Sequence, residues 1–297
     1  MADTGSRIGW VGLGKMGLPM AARLLAAGHP LTAHLRRPDA AAALIAQGAT
    51  GCVTLAEVGH SSDVVFSTIP DDRALRAITL GADGLYTHMA AGSVHIDMST
   101  VSPAVSAEIA VAAQAKRIRY LRAPVSGSTA LATAGTLTII ASGERGAFDE
   151  VLPLLDLLGR VVHYTGGAEQ ARFLKLAINM MVGISAAMIA EALVLGQSGD
   201  LDWRQSIEII NDSVVASPLL GYKKAALQNR DFTAAFTVSQ MVKDLDLVLG
   251  AARNANVPVP VASMVRNLMG AMVAKGNGEA DFFAYVTLME DLAGRAD

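Results

Sequence analysis

Apolar residues in the first half of the chain fall into short runs separated by stretches with a helical period. Arg7–Val11, Leu31–Leu35, Asp63–Ile69 and Ser93–Asp97 have the length and β-branched content of buried strands. Between them, Met16–Ala27, the segment after Pro38, and Asp71–Leu80 place their apolar positions on one helix face. Ser102–Lys116 reads as an Ala-rich helix opened by Ser102-Pro103, because proline is preorganised for the first helical position. Arg119–Arg122, Thr136–Ala141 and Arg160–Tyr164 are further short strands. The alternation predicts an α/β fold, a Rossmann-type doubly wound parallel sheet with helices on both faces.

The pattern changes at Gly166-Gly167. From Ala168 onward no strand is expected and helical periodicity dominates. The chain therefore divides into a dinucleotide-binding Rossmann domain, 1–165, and an all-α substrate and dimerisation domain, 166–297. The spine of the second is a long helix around Lys175–Leu195. Its stretch Ala177–Leu195 is the one candidate membrane span. It carries Asn179 and Glu191 and lacks flanking basic clusters or an aromatic belt, so a core helix is expected and no membrane. A helix this long and apolar on most sides needs more cover than one small helical domain offers, which predicts a homodimer or homotetramer through the C-terminal half.

Composition narrows the function classes. With 52% hydrophobic and 17% charged residues, the chain has ample material for a core and is not largely disordered. Its 24 Lys and Arg against 27 Asp and Glu give a net charge of −3, with no electrostatic footprint for nucleic acid. Cys52 is the only cysteine, and the six histidines include no His-x-x-x-His pair, so no metal site is expected. The polar stretch Met1–Ser6 runs directly into a strand without the apolar segment of a secretory signal, and a cytoplasmic location is expected.

Gly12-Leu13-Gly14-Lys15-Met16-Gly17 is a GxGxxG motif between the first strand and first helix. In that setting the first glycine permits the tight turn, the second lets a pyrophosphate approach the backbone, and the third lets helix pack on strand. The helix N-terminus adds unpaired N–H groups for the phosphates. The second strand ends in His34-Leu35-Arg36-Arg37-Pro38, with no carboxylate before Asp39. A NAD site usually places an acid there to hold the ribose hydroxyls, whereas Arg36 and Arg37 suit a 2′-phosphate. NADP is the expected cofactor, with NAD as the alternative.

Lys175 and Asn179 are four residues apart and share one helix face just after the domain junction. A lysine there can protonate a developing alkoxide, and an asparagine can orient a substrate oxygen. On spacing alone, an ordinary surface lysine is the plainer reading. Ser126-Gly127-Ser128 is in the same way either a turn or an anion-binding loop.

The motifs taken together are more specific. GLGKMGLPMA at Gly12–Ala21, DMSTVSP at Asp97–Pro103, APVSGS at Ala123–Ser128, Gly135-Thr136-Leu137, Lys175–Asn179 and Lys243-Asp244-Leu245 follow one another in order. Over essentially its whole length the chain resembles the β-hydroxyacid dehydrogenase family, the group of 3-hydroxyisobutyrate dehydrogenase and tartronate semialdehyde reductase. The resemblance implies hydride transfer between a nicotinamide and the β-carbon of a small β-hydroxyacid or its semialdehyde. It implies that Lys175 is the general acid/base and that Asn179 orients the substrate. Ser126, Gly127 and Ser128 would hold the substrate carboxylate. Ile69 and Pro70 would line the nicotinamide half of the cofactor site, Thr100 would touch the cofactor, and Lys243 would close over it. Three positions depart from the family pattern: Ser128 replaces a glycine, Arg122 stands where an acid is frequent, and Ile178 replaces an asparagine. Ser128 is expected to narrow or repolarise the carboxylate pocket. Two alternatives share the scaffold, an imine reductase and a non-catalytic NADPH-binding interaction protein. Imine reductases generally lack the lysine and some non-catalytic relatives have lost it, so Lys175 counts against each.

Overall fold

The computed structural model describes residues 5–36 and 41–295; Arg37 lies outside them. Nine strands form one sheet: β1 Ile8–Val11, β2 Leu31–His34, β3 Thr50–Cys52, β4 Val64–Ser67, β5 Val94–Asp97, β6 Arg119–Arg122, β7 Val125–Ser126, β8 Leu137–Gly143 and β9 Gly159–Tyr164. The order β3-β2-β1-β4-β5-β6 is parallel throughout. β1, β4 and β5 are buried at every position; β1 and β4 read as near-continuous apolar runs, whereas β5, Val94-His95-Ile96-Asp97, buries two polar residues in alternation. The expected α/β doubly wound fold is borne out.

Two strands, β8 and β9, run against the rest. β6 and then β7 pair antiparallel with β8, and β9 pairs parallel with β8. The cause is the connection 127–136, which holds only the short helix Thr129–Ala134. A parallel crossover needs about a dozen residues or more, so β8 has to turn back.

Successive strand residues face opposite layers. Trp10, Phe66 and Ile96 join one apolar cluster with Leu24 and Phe148. Val11 and Val65 join a second with Leu75, Ile109 and Tyr120. Trp10 and Phe66 stack at 5.0 Å with ring planes 5° apart. The helix Pro103–Ala115 starts where its sequence predicts: the Ser102 hydroxyl accepts from the Val105 N–H, and Pro103 occupies the first turn.

The chain separates into two compact units, Met1–Lys175 and Leu176–Asp297. A continuous helix, Gln170–Gln197, begins in the first and runs on into the second. Among the described residues it is the one helix long and apolar enough to cross a membrane, and 44% of its most apolar window is buried within the protein. In the second unit it contributes Leu176, Ala190 and Leu193 to a core completed by Met241, Leu245, Met269 and Tyr285. That unit is helical, as expected; its described residues hold no strand beyond an isolated bridge between Thr237 and Asp281.

Candidate active site at the carboxyl ends of the strands

The strand order reverses between β1 and β4, and in open α/β sheets a ligand crevice forms beyond the carboxyl ends at such a point. The glycine loop leaves β1 there. Gly12 has φ +98°, and a Cβ on it would lie 2.0 Å from the Thr68 carbonyl oxygen. A Cβ on Gly17 would lie 2.0 Å from the Gly12 carbonyl oxygen and 2.3 Å from the Thr68 hydroxyl. Both glycines are therefore required by the protein's own packing. Gly14 differs, since a Cβ there meets nothing within 4 Å. It is open on the side from which a pyrophosphate would approach. No side chain caps the helix Gly17–Ala26 that follows, in contrast to the capped helices after Thr54, Asp71 and Ser102. The loop thus fits a dinucleotide phosphate bridge.

Ile69 and Pro70 follow β4, Thr100 follows β5, and Ser126 lies in β7 just after β6. The Ile69 N–H donates to the Ser99 hydroxyl at 2.9 Å, joining the ends of β4 and β5. Arg36 is exposed just beyond β2. Gly127 has φ +143°. The Ser128 hydroxyl accepts from the Leu131 N–H at 3.4 Å as the N-cap of the next helix.

Beneath these residues lies a buried polar network. The Asp97 carboxylate at the end of β5 is fully buried. Its Oδ1 accepts from the Ser67 hydroxyl at 2.8 Å, the Ser99 hydroxyl at 2.6 Å and the Ser99 N–H at 3.1 Å. Its Oδ2 accepts from Arg172 Nη2 at 2.6 Å and the Tyr120 hydroxyl at 3.3 Å. Arg172 stands in the first turn of the helix Gln170–Gln197 and is 1% exposed. It also donates to the Ser99 carbonyl at 2.6 Å and the Ser106 hydroxyl at 3.1 Å.

The donors can be assigned by counting hydrogens. A carboxylate only accepts, so the Ser67 hydrogen points to Asp97 and Ser67 accepts from His95 Nε2 at 2.9 Å. His95 Nδ1 then accepts from the Tyr86 hydroxyl at 2.8 Å. This tautomer requires a neutral ring, and burial pushes the His95 pKa down to about 4. Burial alone would raise the Asp97 carboxyl; Arg172, His95 and the Ser99 and Ser67 hydroxyls outweigh it and hold the group below the usual carboxylate range.

Within the second unit, Asn179 Nδ2 donates to Asp244 Oδ2 at 2.5 Å, and Lys243 Nζ lies 2.8 Å from Asp244 Oδ1. Asp244 is 1% exposed and Asn179 8%. The carboxylate links the two expected site residues of this unit and leaves the Asn179 carbonyl oxygen and second N–H for other partners. Lys175 is half-buried, one turn beyond Arg172.

Residues 7–167 match the family profile described as the NAD binding domain of 6-phosphogluconate dehydrogenase. Residues 169–289 match the one described as NAD-binding of NADP-dependent 3-hydroxyisobutyrate dehydrogenase. The chain belongs to the β-hydroxyacid dehydrogenase family. It is 34% identical to 2-(hydroxymethyl)glutarate dehydrogenase of Eubacterium barkeri, over 97% of this chain and 96% of that one. It is 32% identical to 3-hydroxyisobutyrate dehydrogenase of Pseudomonas aeruginosa, over 97% and 99%. A crystal structure of 3-hydroxyisobutyrate dehydrogenase from Salmonella typhimurium superposes with a TM-score of 0.87 at 28% identity, over 95% and 99% of the two chains. By class this family member is an NAD(P)-dependent hydroxyacid dehydrogenase.

Periodicity and motif reading did not single out Ser67, His95, Tyr120 or Arg172, and quoted Asp97 and Asp244 only as parts of motifs. Arg172 carries a faint signal, a lone charge in the first turn of an apolar helix. Nothing local marks His95, one of two polar residues in the strand Val94–Asp97.

The neutral, buried His95 ties stability to pH. The unfolded ring takes up a proton near its ordinary value of 6.5, the folded one only near about 4. Its contribution is therefore complete above pH 6.5 and lost as pH falls toward 4, by up to about 3 kcal/mol. Denaturant unfolding across this window is expected to show that slope in the wild type and a shallower one in His95→Asn. Parallel curves for the two proteins would refute the assignment.

Proposed function

We propose that the protein is an NADP-preferring dehydrogenase acting on a small β-hydroxyacid or its semialdehyde, with Lys175 as general acid/base. The observation that carries this reading is the position of Lys175 one turn after Arg172, whose guanidinium is bonded to Asp97 and to the Ser99 carbonyl. Those bonds tie the start of the lysine's helix to the strand end that also supplies Thr100.

When bound, the nicotinamide supplies or accepts the hydride at the substrate's β-carbon. In reduction, the Lys175 ammonium donates its proton to the carbonyl oxygen as negative charge develops there, and its own charge stabilises the oxyanion. In oxidation, the amine takes the hydroxyl proton. Asn179, held by Asp244, orients the substrate oxygen without competing for that proton. Ser126, Gly127 and Ser128 hold the carboxylate, partly through backbone N–H groups. Ser128 uses its hydroxyl as a helix cap, so its Cβ changes the pocket's width more than its polarity. Ile69 and Pro70 would line the nicotinamide half of the cofactor site, Thr100 would touch the cofactor, and Lys243 would close over it.

Lys175→Met keeps the stem and removes the ammonium. On a panel of serine, 3-hydroxyisobutyrate, glycerate and threonine isomers, kcat is expected to fall at least ~100-fold on whichever acid turns over, with NADPH binding retained. A higher KM with unchanged kcat would make the lysine a binding residue only.

Arg36 and Arg37, with no carboxylate at the end of β2, support NADP over NAD. The family profile matched by residues 169–289 also carries NADP in its description. Replacing both arginines by alanine is expected to weaken NADP about 10–100-fold, from ~1.4–3 kcal/mol of lost charge-assisted bonds, and to leave NAD nearly unchanged. A wild-type preference for NAD in steady-state kinetics would overturn this.

A homodimer or homotetramer is the proposed assembly. Met181, Met188 and Leu195 recur every seven residues along the long helix and are 65%, 51% and 74% exposed. Val261 and Met264, also exposed, line the groove beside Met188 and Leu195. A seven-residue apolar stripe is self-complementary about a two-fold axis, so a second copy suits it. Light scattering is expected to give at least twice 30.8 kDa at micromolar concentration. A monomer would remove the claim.

A further inference from the structure

Asp97 and Arg122 are register partners on β5 and β6 and therefore project to the same face of the sheet. Each ends its strand. Facing them are Arg172 in the first turn of the long helix and Glu169 just before it, whose carbonyl accepts the Phe173 N–H. Arg172 pairs with Asp97, and Glu169 with Arg122. Three of the side chains are buried and Glu169 is partly so: 0% and 1% exposed for Asp97 and Arg172, 6% and 14% for Arg122 and Glu169. The pairs are joined through Tyr120. Its hydroxyl is 2.9 Å from Arg172 Nη2, and the Arg122 guanidinium sits 4.8 Å over its ring.

We propose that these two ion pairs form a clasp that fixes the rotation of the long helix about its axis, making Arg172 and Glu169 positioning residues for the reaction. The proposal rests on the reading of Lys175 as the acid/base group.

The physical argument is that other forces leave that rotation poorly specified. The long helix is apolar on most sides, so burying apolar surface does not strongly select one azimuth over a neighbouring one. One ion pair pins a point and leaves the helix able to turn about it; a second, three residues away, removes that freedom. The alternation of charge matters too. The strands present minus beside plus, and the helix presents plus and minus in the matching order. A turn that shifted the helix would bring Arg172 toward Arg122 or Glu169 toward Asp97.

At about 100° per residue, Arg172, Lys175 and Asn179 fall within an arc of roughly 60°, and Glu169 lies about 60° to the other side of Arg172. The clasp therefore holds the face that carries both proposed reaction residues. Buried ion pairs add little net stability compared with apolar residues of similar volume, and specifying one arrangement is their best-attested use.

The same comparison supplies the test. Arg122→Leu/Glu169→Leu removes the outer pair without leaving a lone buried charge, so the melting temperature is expected to hold or rise. NADPH Kd should stay within threefold, because the glycine loop is untouched. kcat on the acid that turns over should nevertheless fall at least tenfold, with a displaced limb in its pH profile. Arg172→Lys, which keeps the charge but loses the fork to Asp97, Ser99 and Ser106, should show the same loss of kcat and displaced pH limb at a lower melting temperature, and it decides the matter if the double variant does not fold. A folded variant with native kcat and pH profile would overturn the clasp. Lys175→Met measured in parallel separates the two claims. If that variant keeps kcat, the reading of Lys175 has failed; if it loses kcat while the clasp variants do not, only the clasp has.

Discussion

The ion pair between Asp97 and Arg172 is the interaction on which the candidate site depends. It joins the end of a central strand to the first turn of the 28-residue helix that carries Lys175. Both groups are out of contact with water, and such a pair is tolerable only if every remaining lone pair and N–H finds a partner. Here they do. Asp97 accepts five hydrogen bonds, and Arg172 reaches two carbonyl oxygens, the carboxylate, Tyr120 and Ser106.

The network runs back from that pair into the sheet. Ser67 on β4, His95 on β5 and Tyr120 on β6 each have one partner toward Asp97 and another further out, so three adjacent strand ends are held together by polar contacts where an apolar layer would be usual. Above the same ends, the Ser99 hydroxyl donates to Asp97 and accepts from the Ile69 N–H, linking the network to the chain that leaves β4. Rigid strand ends are a sound base for such a site, because a cofactor and an acid/base group must be held to within a fraction of an ångström. The glycine loop contributes in the opposite way: Gly12 and Gly17 are closed by their neighbours, and Gly14 is left open.

Much of this was legible along the chain. β1, β2, β4, β5 and β6 lie within two residues of the expected runs; β1 and β4, buried on both faces, carry the plainest signal because such strands are near-continuously apolar. The glycine loop, the Ser102-Pro103 helix start and the all-helical second half were equally plain, each carrying a strong local signal. β3 was missed because a three-residue strand containing Gly51 leaves almost no pattern. The helix Leu55–Ser61 was missed although Thr54 and Glu57 form a capping box, a signal present in the sequence. The helix Arg145–Asp156 contains Pro153, which argues against a helix locally. The reversed direction of β8 depends on the length of a connection, which periodicity does not report.

The sequence by itself determined the fold class, the place of the dinucleotide loop and the family, because each rests on residues close together in the chain whose physical requirements are local: a period, a turn, a helix start. Only the tertiary structure decided which charges meet. Arg172 is 75 residues from Asp97, Glu169 is 47 from Arg122, and Asp244 is 65 from Asn179. A lone arginine on an apolar helix, a histidine within a strand and an aspartate in a helix are unremarkable in one dimension. Their meaning comes from burial, which makes an unpaired charge too costly to keep and so dictates a partner that the order of residues does not reveal.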